Sequence, residues 1–272
     1  MSGDYGGIDD LEVTLEAGVL TFTFDRPEQR NALNDPMVAT LLSLLERAQT
    51  DESVRAILMR GSGEHFCAGF DIIARNASGD GSSRPRVGSI QRRLPFQAHR
   101  LVSLICSVQV PVVCEVRGWA AGIGLHVLLA ADFAVVADDA RLWEPFSQRG
   151  FTPDSGATWL LPRRVGEVRA REMLVLGRVV SGAEAAEWGM VHGAVAAPAL
   201  RSTTDDLVSR LASGPTVSLG LTKWLMHSGS SKSLTEHMAE EAYGMELSSR
   251  SEDFKEGLKA FTEKRAPDFK GR

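Results

Sequence analysis

The chain has 272 residues, 43% of them hydrophobic and 24% charged, with a net charge of −5. That length and balance suit one large globular domain, or a domain with an appendage, and the acidic surplus weighs against nucleic acid or an anionic membrane as the main partner. Three unevenly spaced cysteines, Cys67, Cys106 and Cys114, argue against a disulfide framework and fit a reducing, cytoplasmic setting.

Residues 1–10 lack the basic region and apolar run of a signal peptide. Leu11-Glu-Val-Thr-Leu15 and Val19-Leu-Thr-Phe-Thr-Phe24 alternate around Glu16-Ala-Gly18, which predicts a β-hairpin. Asn34 and Asp35 can cap a helix that has Pro36 in its first turn and Leu41, Leu44, Leu45 and Ala48 on its apolar face. A strand over 54–59 then leads into the first of two glycine turns, Gly61-Ser-Gly-Glu-His-Phe-Cys-Ala-Gly-Phe-Asp71. Residues 76–93, rich in Gly, Ser and Arg, are expected to be either a mobile loop or a lid over a pocket.

A helix over 94–107 and a strand over 110–116 lead to the second turn, Gly118-Trp-Ala-Ala-Gly-Ile-Gly124, and a helix over 123–131. The apolar run from Trp119 to Ala137 contains His126 and Asp132, so it reads as a buried helix entering a buried strand at 133–137 and not as a membrane span. Strand signals stop near residue 200. Helices are expected over 201–213, 215–228, 233–249 and 251–264. Repeated strand–turn–helix units give an α/β core, with a shift to helix near 195–200.

Glycine turns between a strand and a helix free backbone N–H groups to face a ligand, and the helix N-terminus adds its dipole. Two such groups meeting at one oxygen make an oxyanion hole. The bland alternative is that Gly122 and Gly124 only relieve crowding in a packed helix. A dinucleotide fingerprint is excluded, because Val127 stands where its third glycine belongs. His65 and Cys67 lack a third partner at metal-ligand spacing, so no metal is expected.

Several segments, in order, resemble the crotonase (enoyl-CoA hydratase/isomerase) superfamily. They are Asp25-Arg-Pro-Glu-Gln-Arg-Asn-Ala-Leu-Asn34, Phe66-Cys-Ala-Gly-Phe-Asp71, Pro111 through Gly124, Ala131-Asp132, and the tail from Phe254 to Arg265. The resemblance spans essentially the whole chain. It implies a spiral of ββα units over residues 1–197, followed by a helical trimerisation region over 198–272, assembled as a homotrimer or a dimer of trimers. It implies an acyl-CoA thioester as substrate, with coenzyme A as part of that substrate and no tightly bound cofactor.

In this family two backbone N–H groups form the oxyanion hole, and they fall here on Phe70 and Ile123. The resemblance nominates Arg30, Ala68, Phe261 and Lys264 for the coenzyme A moiety, the last two reaching a neighbouring subunit's site. The bland alternative for Phe261 and Lys264 is an amphipathic helix with Phe261 in an interface and Lys264 solvated. The two glutamates that hydratases use are replaced by His126 and Phe146, and Pro145 argues against a register change that would bring Glu144 into their place.

Gly150-Phe-Thr-Pro-Asp154-Ser-Gly-Ala-Thr-Trp-Leu-Leu-Pro162 is similar to the version in ring-isomerising members of the phenylacetate pathway, which makes Asp154 the expected base. Its bland alternative is a cap for a helix starting at Ser155. His126 is expected either to act on the acyl group or to be a hydrogen-bonded core residue. His99 stands where the dehalogenase branch carries a base, and is otherwise a surface or packing residue. An isomerase using Asp154 is therefore the leading expectation. Hydration of a 2-enoyl-CoA is the runner-up, and a non-catalytic acyl-CoA binder is the rival from another class. An RNA-binding role is disfavoured by the acidic surface.

Overall fold

The computed structural model describes residues 5–71 and 86–272. Alternating apolar residues form the expected hairpin: β1 (Leu11–Glu16) and β2 (Val19–Phe24) pair antiparallel, with Leu11 opposite Phe24. The remaining strands are β3 (Ala56–Gly61), β4 (Val112–Val116), β5 (Trp119–Ala121), β6 (Phe133–Ala137), β7 (Arg141–Trp143), β8 (Val180–Ser181) and β9 (Gly193–Val195). One sheet runs in the order β1-β2-β3-β4-β6-β9, parallel from β2 onward, and a small one runs β5-β7-β8.

The helices are α1 (Asp35–Ala48), α2 (Ser89–Arg93), α3 (Ala98–Ser107), α4 (Ile123–Ala130), α5 (Ala157–Leu174), α6 (Gly182–Glu187), α7 (Leu200–Ala212), α8 (Thr216–Ser228), α9 (Leu234–Ser248) and α10 (Glu252–Glu263). β4, β5 and α4 form one strand–strand–helix coil, and β6, β7 and α5 form the next. This is the spiral of ββα units. Its short second strands carry too few residues to show any alternation in the sequence, and β5, β7, β8 and β9 were not expected.

α1 starts as its cap residues require: Asn34 Oδ1 accepts the Met37 N–H at 2.9 Å, and Met37, Val38, Leu41, Leu45 and Ala48 are buried. α3 begins at Ala98 and not at 94, because a 3-10 turn over Leu94–Phe96, with Pro95 inside it, precedes it. Of the segment 76–93, residues 76–85 lie outside the described residues. The described remainder carries the short, exposed α2.

β3 divides the interior by its two-residue alternation. Ile57 and Met59 face the main core with Phe22, Phe24 and Phe66, while Ala56 and Leu58 face Val113 and α7's Val208 and Ala212. Two cations tie the helical region to the spiral. Lys223 of α8 pairs with Asp132 at 2.7 Å and donates to the carbonyls of Ile105 and Val110, and Arg55 donates to those of Gly214 and Phe269. No described helix is long and apolar enough to cross a membrane.

Candidate active site

The first glycine turn is built from the Arg-Pro segment before it. Asn31, fully buried, donates to the carbonyls of Ser62 and His65 and accepts the Arg26 N–H at 2.8 Å. Arg26 in turn reaches Asp71 at 3.0 Å, just beyond Phe70. His65 Nδ1 accepts the Trp119 N–H at 3.3 Å, and burial together with the nearby Arg30 lowers the imidazole's pKa and favours that neutral acceptor form.

The two turns lie side by side. Phe66 and Cys67 donate to the carbonyls of Arg117 and Trp119, and Ala121 donates back to Cys67 at 2.9 Å. On the other edge Leu33 donates to Gly69 and accepts from Asp71, a parallel bridge centred on Phe70. A residue bridged in this way turns its own N–H away from the bridging strand. The Phe70 N–H therefore faces the side where the second turn lies.

That second turn separates the roles of its glycines. A Cβ on Gly124 would sit 2.4 Å from the Cys67 carbonyl oxygen, so Gly124 does relieve crowding, where α4 seats on the first turn. Gly122 has room beside it, with Phe146 3.8 Å from a built Cβ, but its φ of +52° and ψ of −124° suit glycine alone. Its N–H donates to Trp143 at 3.0 Å, which fixes β7 next to the turn. Ile123 is the first residue of α4, and its N–H has no protein partner among the described residues. Every residue of α4 is buried, and a buried helix start with an unmet donor is a place for an anionic ligand atom.

Phe146 packs on this turn, stacks on His126 with ring centroids 5.7 Å apart, and meets Phe151 edge-on at 5.3 Å. The loop bearing Asp154 thus folds back towards the second turn. Asp154 does not cap the next helix. α5 begins at Ala157 with Gly156 as its N-cap, because Ser155 and Gly156 take left-handed backbone angles. The half-buried Asp154 carboxylate has no protein partner among the described residues, and only its backbone carbonyl is engaged, by Ala157. Val102 of α3 approaches Gly156, which places His99, one turn earlier on the same helical face, beside this loop. The Nε2 of His99 and the Oγ of Ser155 are buried without a partner.

His126 is fully buried, and its Nε2 lies 3.2 Å from both carboxylate oxygens of the fully buried Glu144. Phe146 keeps its place beside the Gly122 turn, so no register change brings Glu144 there, yet Glu144 reaches His126 from its own position. The bond from Gly122 to Trp143 brings the next side chain against the first turn of α4. The only sequence signal for this pair was the nearness of Glu144 to the position of the missing carboxylate.

The residues nominated for coenzyme A divide into two groups. Arg30 is exposed and accepts the Ala68 N–H at 3.0 Å, so these two sit together at the outer end of the first turn. Phe261 is exposed on α10 and Lys264 is the exposed, left-handed residue that ends it, and the contacts of that helix within one chain run to the C-terminal tail. The Cys67 thiol is pushed up to about 11 by burial, and it serves as a small residue under Gly124. Among the described residues no group of three or more His, Cys, Asp or Glu side chains is placed to hold a metal ion.

Residues 14–272 match the enoyl-CoA hydratase/isomerase family. The chain is 37% identical to the 1,2-epoxyphenylacetyl-CoA isomerase of Escherichia coli K12, over 95% of this chain and 97% of that protein. It is 30% identical to the trans-2-decenoyl-[acyl-carrier-protein] isomerase of Streptococcus mutans, over 97% and 98% of the two chains. The crystal structure of enoyl-CoA hydratase from Bacillus anthracis superposes with a TM-score of 0.89 at 27% identity, covering 97% of this chain and all of that one.

Proposed function

Because the chain belongs to the enoyl-CoA hydratase/isomerase family and is an enzyme of that type, we propose that it isomerises an unsaturated or ring-containing acyl-CoA with Asp154 as the base. The thioester oxygen sits between the N–H groups of Phe70 and Ile123, at the start of α4. Asp154 removes an allylic proton. The C–H electron pair enters the conjugated system, the double bond moves, and negative charge collects on the thioester oxygen as an enolate. The same carboxyl group then returns the proton to the far carbon, so one residue closes the cycle. Holding the enolate is the largest single contribution, since losing one donor typically costs about 10²–10³ in rate. The proton transfer itself contributes about 10²–10⁴.

The observation that carries this reading is the Asp154 carboxylate. It has no protein partner among the described residues, although it is half-buried on a loop folded towards the oxyanion turn. The names of the Escherichia coli and Streptococcus mutans relatives support isomerisation.

Coenzyme A enters as part of the substrate, beside Arg30 and Ala68. The protein assembles as a homotrimer or a dimer of trimers through α8–α10, whose exposed Trp224, Met226, Met238, Tyr243, Leu258 and Phe261 form an apolar surface needing cover. In that assembly Phe261 and Lys264 reach the coenzyme A of a neighbour.

Product analysis with 3-enoyl- and 2-enoyl-CoA tests the reaction. A shifted double bond is expected. A 3-hydroxyacyl product without a shift would make the protein a hydratase, and tight binding with no product would make it a carrier.

A further inference from the structure

α7 covers only part of the sheet face that turns away from the main core. Its Val208 and Ala212 pack with Ala56, Leu58 and Val113, while the facing hairpin residues Thr14 and Thr21 line an open cleft along the flank of the helix. The cleft holds about 520 Å³, within the range of about 300–1,000 Å³ found for small-molecule sites. The proposed reaction makes no use of it.

Its floor is apolar and one end carries uncommitted charges. Val19, Leu58, Val208 and Ala212 belong to one apolar cluster under the cleft. Arg60 follows Leu58 by two residues on β3 and so shares its face. Its Nε donates to Thr23 Oγ1 at 3.1 Å, which holds the guanidinium in place, and its two Nη groups have no partner among the described residues. Glu115, opposite Arg60 on β4, is already engaged by Arg117 and Arg201 at 3.3 and 3.6 Å.

Asp205 lines the same cleft from α7, and its exposed carboxylate forms no hydrogen bond and no ion pair among the described residues. Burial raises the pKa of Glu115, Arg117 and Arg60 lower it, and Asp205 raises it further, so Arg60 and Asp205 both stand near that carboxyl, at one end of the cleft. The other charges of the lining lie towards Val19. Arg55 is spent on Thr216 and on the carbonyls of Gly214 and Phe269, and Glu16 sits opposite Val19 in the hairpin.

A free guanidinium fork and a free carboxylate that share one end of a cleft, and do not pair with each other, suit a ligand that carries both signs. The fork takes a carboxylate through two parallel N–H bonds, and the aspartate takes an ammonium group. The floor from Leu58 to Val19 takes a hydrocarbon body. A simple carboxylic acid would satisfy Arg60 but meet repulsion from Asp205, and a simple amine would meet the reverse. We propose that this cleft is a second ligand site, apart from the active site, for a free α-amino acid with an apolar side chain, its carboxylate on Arg60 and its ammonium group on Asp205. The inference does not depend on the acyl-CoA reading.

Calorimetry on the intact protein tests it. L-Leucine and L-phenylalanine are each titrated beside the acid that lacks the ammonium group and the amine that lacks the carboxylate. At least one amino acid should bind with a Kd of about 1 mM or tighter, and about tenfold tighter than either of its analogues. Asp205→Asn should weaken that amino acid about tenfold and bring it level with the acid, and Arg60→Gln should bring it level with the amine. Asp205 is exposed on α7, so Asp205→Asn decides the matter even where Arg60→Gln fails to fold. No amino-acid binding up to about 10 mM, an amino acid bound no more tightly than its analogues, or an unchanged affinity in Asp205→Asn overturns the proposal.

Discussion

The carbonyl of Cys67 accepts the Ala121 N–H at 2.9 Å, and through that contact two turns some fifty residues apart become one site. The neighbouring bond from Cys67 to Trp119 and the absence of a side chain on Gly124 let α4 start directly against the first turn. The Ile123 N–H then lies at the helix start, on the side that the Phe70 N–H faces. Backbone pairing, and not any side chain, thus brings the two proposed donors together.

The two glycines of the second turn should fail differently. In Gly124→Ala the new methyl group meets backbone and the Cys67 side chain at 2.4–2.9 Å, so α4 must lift. A loss of about 3 kcal/mol or more, or no soluble protein, is expected. Gly122→Ala finds space but a strained backbone, which costs about 1–3 kcal/mol. It should stay folded and lose about 10²-fold in kcat as the Ile123 donor shifts. Urea melts with parallel kinetics separate the two. Equal stabilities for the variants would contradict this division.

The Lys223 side chain is largely covered, and that burial lowers its pKa while Asp132 opposes the shift. Lys223→Met removes the cation and leaves the Asp132 carboxylate, among the described residues, with the Val112 N–H alone. Breaking such a pair from one side should destabilise the protein by about 3 kcal/mol. Limited proteolysis should then cut between α7 and α8 well before the spiral core is attacked. Unchanged resistance to protease would show that this cation does not anchor the helical region.

Glu115 gives a pH test. Burial raises its pKa above the ordinary carboxylate value, against the lowering effect of Arg117 and Arg60. The native state then holds more protons than the unfolded chain between the ordinary and the raised value. Stability therefore falls as pH rises through that window and stays reduced above it. Glu115→Gln should remove the fall, giving a flatter Tm profile across weakly acidic pH and a higher Tm at neutral pH. A variant with a lower Tm at neutral pH would mean that the ion pairs to Arg117 and Arg201, at 3.3 and 3.6 Å, outweigh the cost of burial.

Much of the fold is legible in the sequence. The hairpin, the Asn34 cap and the four terminal helices declared themselves because each rests on local chemistry: alternation, capping or a long apolar face. The glycine turns were legible as turns. What stayed hidden depends on partners distant in sequence. β5 and β7 are three residues long and exist because they pair with each other. The alternative reading of Asp154 as a helix cap fails because the left-handed angles at Ser155 and Gly156 shift the start of α5 to Ala157. The contact of Glu144 with His126 has no local signal, because it depends on the Gly122–Trp143 bond that brings β7 against the start of α4.

The most direct test of the enolate chemistry is solvent exchange. The protein is incubated with a 3-enoyl-CoA in deuterated water, and deuterium at Cα and Cγ is followed by mass spectrometry in the wild type and in Asp154→Asn. Incorporation and a shifted double bond are expected in the wild type. In Asp154→Asn both should fall by about 10²–10⁴, while acyl-CoA binding is retained. Exchange at an undiminished rate in Asp154→Asn would remove Asp154 from the chemistry.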